Sequence, residues 1–221
     1  MTYRFSRQQK RMMRKFFRSL LTFSGLAAGG WLAWRYLSKR TSQPCPYWLS
    51  GVLETPLTEA IAGAKKLLDL LDARPGMAFL DVGSGPGRVS IPAAERVGPA
   101  GQVTALDIQP EMLAFLRERA AARGLTNLHL VEGGAGGGLL GAGQFDRAVL
   151  VTVLGETPDR QAVIDEIYRA LKPGGRLAVA EYLPDPHFQR QAVVRHLANE
   201  AGFREVALTG RPWAYIMILE K

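Results

Sequence analysis

From residue 77 onward, short apolar runs alternate with stretches of helical periodicity. The runs at 77–83, 102–108, 128–132, 145–153 and 176–183 read as strands, and the stretches at 88–97, 111–123, 159–171 and 188–202 as helices. Nearly continuous apolar strands separated by helices predict a parallel sheet covered on both faces. The rhythm changes at the end. Residues 203–209 and 214–220 are two further apolar runs joined by Gly210-Arg211-Pro212 with no helix between them, so this pair is predicted to be antiparallel. Upstream, Leu57, Ile61, Ala64, Leu67, Leu68 and Leu71 recur at helical spacing and predict a helix over 56–73.

A different pattern occupies the start of the chain. Met12, Met13, Phe16, Phe17, Leu20 and Leu21 alternate with Arg11, Arg14, Lys15 and Arg18, as in a helix lying in a membrane interface. No residue from Ser19 to Trp34 is charged, and Arg35, Lys39 and Arg40 follow. A helix over that uncharged stretch is about 24 Å long, short of the roughly 30 Å hydrocarbon core. A secretory leader is disfavoured because both flanks are basic and no small-residue cleavage site stands out. A span with its more positive flank inside would carry the rest of the chain out of the cell. Residues 1–40 therefore read as a shallow anchor on the cytoplasmic face of a membrane, with a single pass as the alternative, 41–55 as a linker that becomes a lid, and 56–221 as the folded domain. Gly25 and Gly29 have the spacing that lets two helices approach in a bilayer, the basis for a possible homodimer; small residues in a short anchor are the alternative.

Charge sharpens this division. Of the 28 basic residues in a chain of net charge +8, ten lie in the first forty positions, which hold no acidic residue. The body is left with 18 basic and 20 acidic side chains. A near-neutral body argues against nucleic acid as a partner. Cys45, the one cysteine, excludes an intramolecular disulfide and a CxxC site. His129, His187 and His196 show no metal-ligand spacing, so no metal is expected.

The first strand runs into Leu80-Asp81-Val82-Gly83-Ser84-Gly85-Pro86-Gly87-Arg88, and the second ends at Asp107. Glycines in such a turn let the backbone come closer to a ligand than any Cβ allows. An acid at the end of the neighbouring strand accepts from ribose hydroxyls. Dinucleotide sites use GxGxxG, with a helix N-terminus facing pyrophosphate. Here the spacing is GxGxG, and Arg88 stands where the third glycine would fall. That favours a nucleoside cofactor without a diphosphate, such as S-adenosyl-L-methionine.

With these residues in view, the chain resembles the class I S-adenosylmethionine-dependent methyltransferases, in the group of ubiquinone/menaquinone-type and small-molecule enzymes. Four blocks carry the likeness: LDVGSGPGR at 80–88, VTALDIQPEML at 103–113, FDRAVLVTVLGETPD at 145–159 and LKPGGRLAVAE at 171–181. The resemblance implies an α/β doubly wound, mostly parallel sheet of seven strands in the order 3-2-1-4-5-7-6. It also implies that Asp81, Gly83, Ser84, Gly85 and Gly87 surround the methionine part of the cofactor. Asp107 would hold the ribose, Ile108 and Gln109 would lie beside adenine, and Thr152 near the sulfonium. One departure stands out: relatives place an acid after the third strand for the adenine amino group, whereas Gly134 occupies that position here. Seven glycines between 133 and 143 make this an unusually glycine-rich loop.

For an acceptor that must lose a proton, Glu156 and His187, after the fourth and fifth strands, are the candidate bases, with Asp185 nearby. Asp146 and Lys172-Pro173-Gly174-Gly175 are expected to be structural. A basic anchor beside a lid containing Tyr47, Trp48 and Leu49 suggests a small lipophilic acceptor and a membrane-surface partner. Two other classes remain open. One is a nicotinamide- or nucleotide-dependent enzyme on a similar sheet. The other is a non-catalytic membrane adaptor that retains the fold.

Overall fold

The computed structural model describes residues 56–221 together with Gly29, Gly30 and Tyr47. The chain divides into two units, Met1–Thr41 and Ser42–Lys221. The anchor over 1–40 and the lid over 41–55 lie outside the described residues, except that Gly29 and Gly30 are helical and Tyr47 is exposed. Among the described residues, no helix is long and apolar enough to cross a membrane.

The second unit opens with α1 (Pro56–Ala62) and α2 (Ala64–Leu70), followed by β1 (Ala78–Val82), α3 (Ser90–Val97), β2 (Gln102–Asp107) and α4 (Pro110–Ala121). Next come β3 (Leu128–Glu132), β4 (Phe145–Val151), a 3₁₀ turn (Leu154–Glu156) and α5 (Arg160–Ala170). The chain ends with β5 (Leu171–Tyr182), α6 (Gln191–Ala201), β6 (Arg204–Arg211) and β7 (Ala214–Glu220). The seven strands form one sheet in the order β3-β2-β1-β4-β5-β7-β6. The first five strands pair in parallel, and β7 runs antiparallel between β5 and β6.

Alternation along the strands builds a core on each face. Phe79, Val103, Val149 and Ala178 pack with Leu67, Leu68 and Val97 of the early helices. Leu80, Leu106, Leu150 and Val179 pack with Ile164, Ile167 and Val194 of the later ones. Burying the central strands on both sides leaves their carboxyl ends as the place where polar side chains can collect.

The structure departs from the periodicity in four places. The helix expected over 56–73 is broken at Gly63, whose ψ of 145° turns the chain. Arg88 Nη1 donates to the Ala62 carbonyl at this break (2.7 Å). β5 begins earlier than expected, at Leu171. Leu171 pairs with Phe145 and Arg176 with Arg147, so Lys172–Gly175 form a bulge within the strand rather than a turn before it. α6 begins only at Gln191, because His187 N donates to Asp185 Oδ1 (2.6 Å) and Gln189 N to Glu181 Oε2 (2.9 Å). Side chains satisfy peptide groups there that a helix would otherwise use. Finally, Gly210 and Arg211 pair with Tyr215 and Ala214 inside the hairpin, which narrows the turn to Pro212-Trp213.

Asp146 holds the sheet together, as expected from its place at a strand start. Its Oδ2 accepts from Ala78 N (2.8 Å), and Lys172 Nζ donates to both of its oxygens (2.8 Å each).

Candidate functional site

The loop after β1 is strapped to the end of β2. Gly83 N and Ser84 N both donate to the Leu106 carbonyl (2.8 and 3.1 Å). Gly85 N donates to Asp107 Oδ2 (2.7 Å), and Gln109 N donates to Asp107 Oδ1 (2.9 Å). With Ile108 N donating as well, three peptide groups occupy this carboxylate and leave one lone pair for another donor. Asp107 is 7% exposed, and burial raises its pKa while the bonds from Gln109, Gly85 and Ile108 pull it back down.

Two glycines in the loop serve different purposes. Gly87 has φ +92°, and a Cβ there would sit 2.3 Å from Leu116 Cδ1, so α4 packs against bare backbone. Gly85 has φ +53°, and a Cβ there would meet nothing within 4 Å. The open side of Gly85 forms part of a cleft lined by Asp81, Ser84, Arg88, Thr152 and Tyr182.

Asp81 lies at the floor of this cleft, 3% exposed, and accepts from Ser90 Oγ (2.6 Å). Burial pushes its pKa up to about 6, opposed by the Ser90 hydrogen bond and the Arg88 charge. Thr152, at the end of β4, adopts φ +56°, a left-handed conformation that costs energy in a β-branched residue and concentrates at functional sites. The Tyr182 hydroxyl shares hydrogen bonds with Thr58 and Thr152, and burial raises its pKa. Ser84 Oγ is buried and has no hydrogen-bond partner among the described residues. A buried hydroxyl of this kind is ready for a polar ligand group.

The nominated residues fall into three places. Asp81, Gly83, Ser84, Gly85 and Thr152 line the cleft. Gly87 supports it from below, against Leu116. Asp107, Ile108 and Gln109 lie at its β2 side, with the Ile108 side chain 57% exposed. Glu156 is half-buried in the 3₁₀ turn, whereas His187 is 4% exposed and is not among the residues lining this cleft. Both lie around a group the sequence did not reveal. Glu181, 1% exposed, accepts from Gln189 N through Oε2, and burial, with Asp185 and Glu156 adding to it, holds its carboxyl well above the usual range.

Arg88 and Tyr182 were also missed as cleft residues. Arg88 reads in the sequence only as a departure from a glycine. Tyr182 carries one signal, its place at the carboxyl end of an apolar strand. Among the described residues, no group of three or more His, Cys, Asp or Glu side chains converges to hold a metal.

The profile of a family described as "Methyltransferase domain" matches residues 73–207. Nocamycin O-methyltransferase of Saccharothrix syringae is 39% identical over 130 residues, covering 59% of this chain and 46% of that protein. Demethylmenaquinone methyltransferase of Listeria monocytogenes is 38% identical over 114 residues, covering 52% of this chain and 48% of that protein. The chain thus aligns with about half the length of these curated relatives. A SAM-dependent methyltransferase from Aquifex aeolicus shares the fold with a TM-score of 0.73 at 22% identity, over 80% of this chain and 99% of that one.

Proposed function

Since the chain belongs to the class I S-adenosylmethionine-dependent methyltransferase family, we propose that it transfers the methyl group of S-adenosyl-L-methionine to a small lipophilic acceptor presented at the cytoplasmic face of a membrane. The observation that carries the cofactor reading is the strap between Gly85 and Asp107, with the unpartnered Ser84 hydroxyl beside it. That cradle suits a nucleoside and a small polar tail. Arg88, whose Nη1 alone donates to the Ala62 carbonyl, takes the place of the glycine that a dinucleotide site needs.

The sulfonium supplies a methyl group already activated for displacement, so the protein's task is to hold, orient and exclude water. Asp107 accepts from the ribose hydroxyls at the side of its carboxylate that the loop peptides leave open. Asp81 faces the ammonium of the methionine tail, and Arg88 and Ser84 suit its carboxylate. Ile108 and Gln109 flank the adenine, and Thr152 borders the reacting centre. For an acceptor that must lose a proton, Glu156 is the better-exposed base, with His187 behind it in the turn that Glu181 braces.

The acceptor class rests on the basic, apolar character of residues 1–40 and the likeness to a demethylmenaquinone methyltransferase. Incubating the protein with isotopically labelled cofactor and a membrane extract should put label into an organic-soluble product. Label confined to a water-soluble product would reject the lipophilic acceptor. No cofactor binding at all would reject the enzyme and favour the adaptor.

Ionisation gives a second expectation. In the ligand-free protein Asp81 holds its proton up to about pH 6. A cationic ammonium favours the carboxylate, so binding below that pH must expel a proton. Affinity for S-adenosylhomocysteine, measured by calorimetry, should therefore rise about fivefold from pH 5 to 6, reach about tenfold by pH 7 and level off above that. A flat profile would remove Asp81 from the ammonium site.

A further inference from the structure

The glycine-rich loop after β3 is tied down by a residue that touches none of the cleft described above. Glu166, in the middle of α5, is 1% exposed. One of its carboxylate oxygens accepts from Gly136 N, and the other accepts from Leu140 N (2.8 Å). The loop lies flush on the helix: a Cβ on Gly136 would come within 3.3 Å of both Val163 N and Val163 Cγ2. A buried carboxylate spent wholly on two peptide groups of a loop fixes that loop's shape.

The other end of the loop is fixed to the nucleoside side of the site. Gly133 N donates to the Asp107 carbonyl (2.9 Å). Ile108, 57% exposed, lies 3.9 Å from where a Gly134 Cβ would be. Leu139, 51% exposed, packs on Gly133 with its Cδ1 2.3 Å from where a Cβ would be. Two exposed apolar side chains therefore approach the Gly133-Gly134 peptides, one beside each glycine. An apolar surface next to bare peptide groups suits a flat ring with polar edges.

We infer that Glu166 is the positioning residue of the adenine subsite: it braces the 133–140 loop so that main-chain groups between Ile108 and Leu139 read the base where relatives use an acidic side chain. The inference rests on the cofactor reading above. It explains how Gly134 is tolerated at that position. A main-chain reader works only if the loop is held in one conformation, and a glycine run has the greatest conformational freedom to lose.

The test compares S-adenosylhomocysteine with S-inosylhomocysteine, which carries an oxo group in place of the adenine amino group, by calorimetry on the full chain. The wild type should bind the adenine form more tightly. In Glu166→Gln the amide turns a donor toward a peptide N–H and one bond is lost, so affinity for the adenine form should fall about tenfold. The preference for adenine over hypoxanthine should shrink with it, a ratio that general loosening of the fold would leave unchanged. Leu139→Ala alters an exposed side chain, so it reports even if Glu166→Gln does not fold. It too should weaken the adenine form about tenfold, as expected for losing a large buried apolar contact to a ligand. If the wild type binds and either folded variant keeps its affinity and ratio within twofold, the Glu166 assignment is overturned. If the wild type binds neither compound, the cofactor reading fails and takes this inference with it.

Discussion

Asp107→Ala should abolish measurable binding of S-adenosylhomocysteine while leaving a folded protein. Two losses combine. The ribose hydroxyls lose a carboxylate acceptor, at about 1.5–3 kcal/mol for each charge-assisted bond. Gly85 N and Gln109 N also lose the group that straps the glycine loop to β2, so the cradle loses its preorganisation as well as its acceptor. Together these predict a weakening of about a thousandfold or more. The fold should tolerate the change because burial disfavours the Asp107 carboxylate in the ligand-free protein. Asp107→Asn, which keeps one acceptor oxygen, should fall between wild type and alanine. Calorimetry together with thermal unfolding checks the pair. Wild-type affinity in the alanine variant would refute the ribose role.

Gly85→Ala and Gly87→Ala should fail in opposite ways, although the two positions lie two residues apart in one loop. At Gly87 the new Cβ meets Leu116, a fully buried side chain of α4, at 2.3 Å, and the backbone is at φ +92°. Overpacking and a left-handed backbone together cost about 2–5 kcal/mol, so unfolding should occur about 5–15 °C lower. At Gly85 the methyl group meets no protein atom, and φ +53° is a left-handed conformation that alanine adopts at a cost of about 1 kcal/mol. Its melting temperature should drop by only about 2–4 °C. The methyl group instead occupies ligand space, so cofactor affinity should fall at least a hundredfold. Thermal unfolding and calorimetry on both variants separate the two effects. Equal stability losses, or retained binding in Gly85→Ala, would mean that the open side of Gly85 does not face the ligand.

Much of this architecture is legible in the chain before any coordinates. Phe79, Leu80, Val103, Leu106, Val149 and Leu150 sit in apolar runs that become central strands, because a strand buried on both faces has no position for a polar residue. The crossover helices between these runs force them to be parallel, and the absence of a helix between the last two forces them to be antiparallel. Gly85 and Asp107 are likewise visible, since a glycine turn after one strand and an acid at the end of the next meet wherever the two strands are neighbours. Boundaries are less legible. The break at Gly63, where Arg88 reaches the Ala62 carbonyl, and the late start of α6 at Gln191, where Asp185 and Glu181 take up peptide groups, involve side-chain hydrogen bonds that leave no periodic trace.

By itself the sequence determined the strands, their directions and the glycine loop, because these follow from local periodicity and from backbone freedom at a few glycines. Only the tertiary structure decided which polar residues meet. Glu166 reaches Gly136 across 30 positions, Asp146 reaches Ala78 across 68, and Arg88 caps the broken helix 26 positions upstream. An apolar pattern states whether a side chain faces inward, but it does not name the partner. A buried carboxylate on a helix therefore looks the same in sequence whether it braces a cofactor loop or pairs with a neighbouring strand.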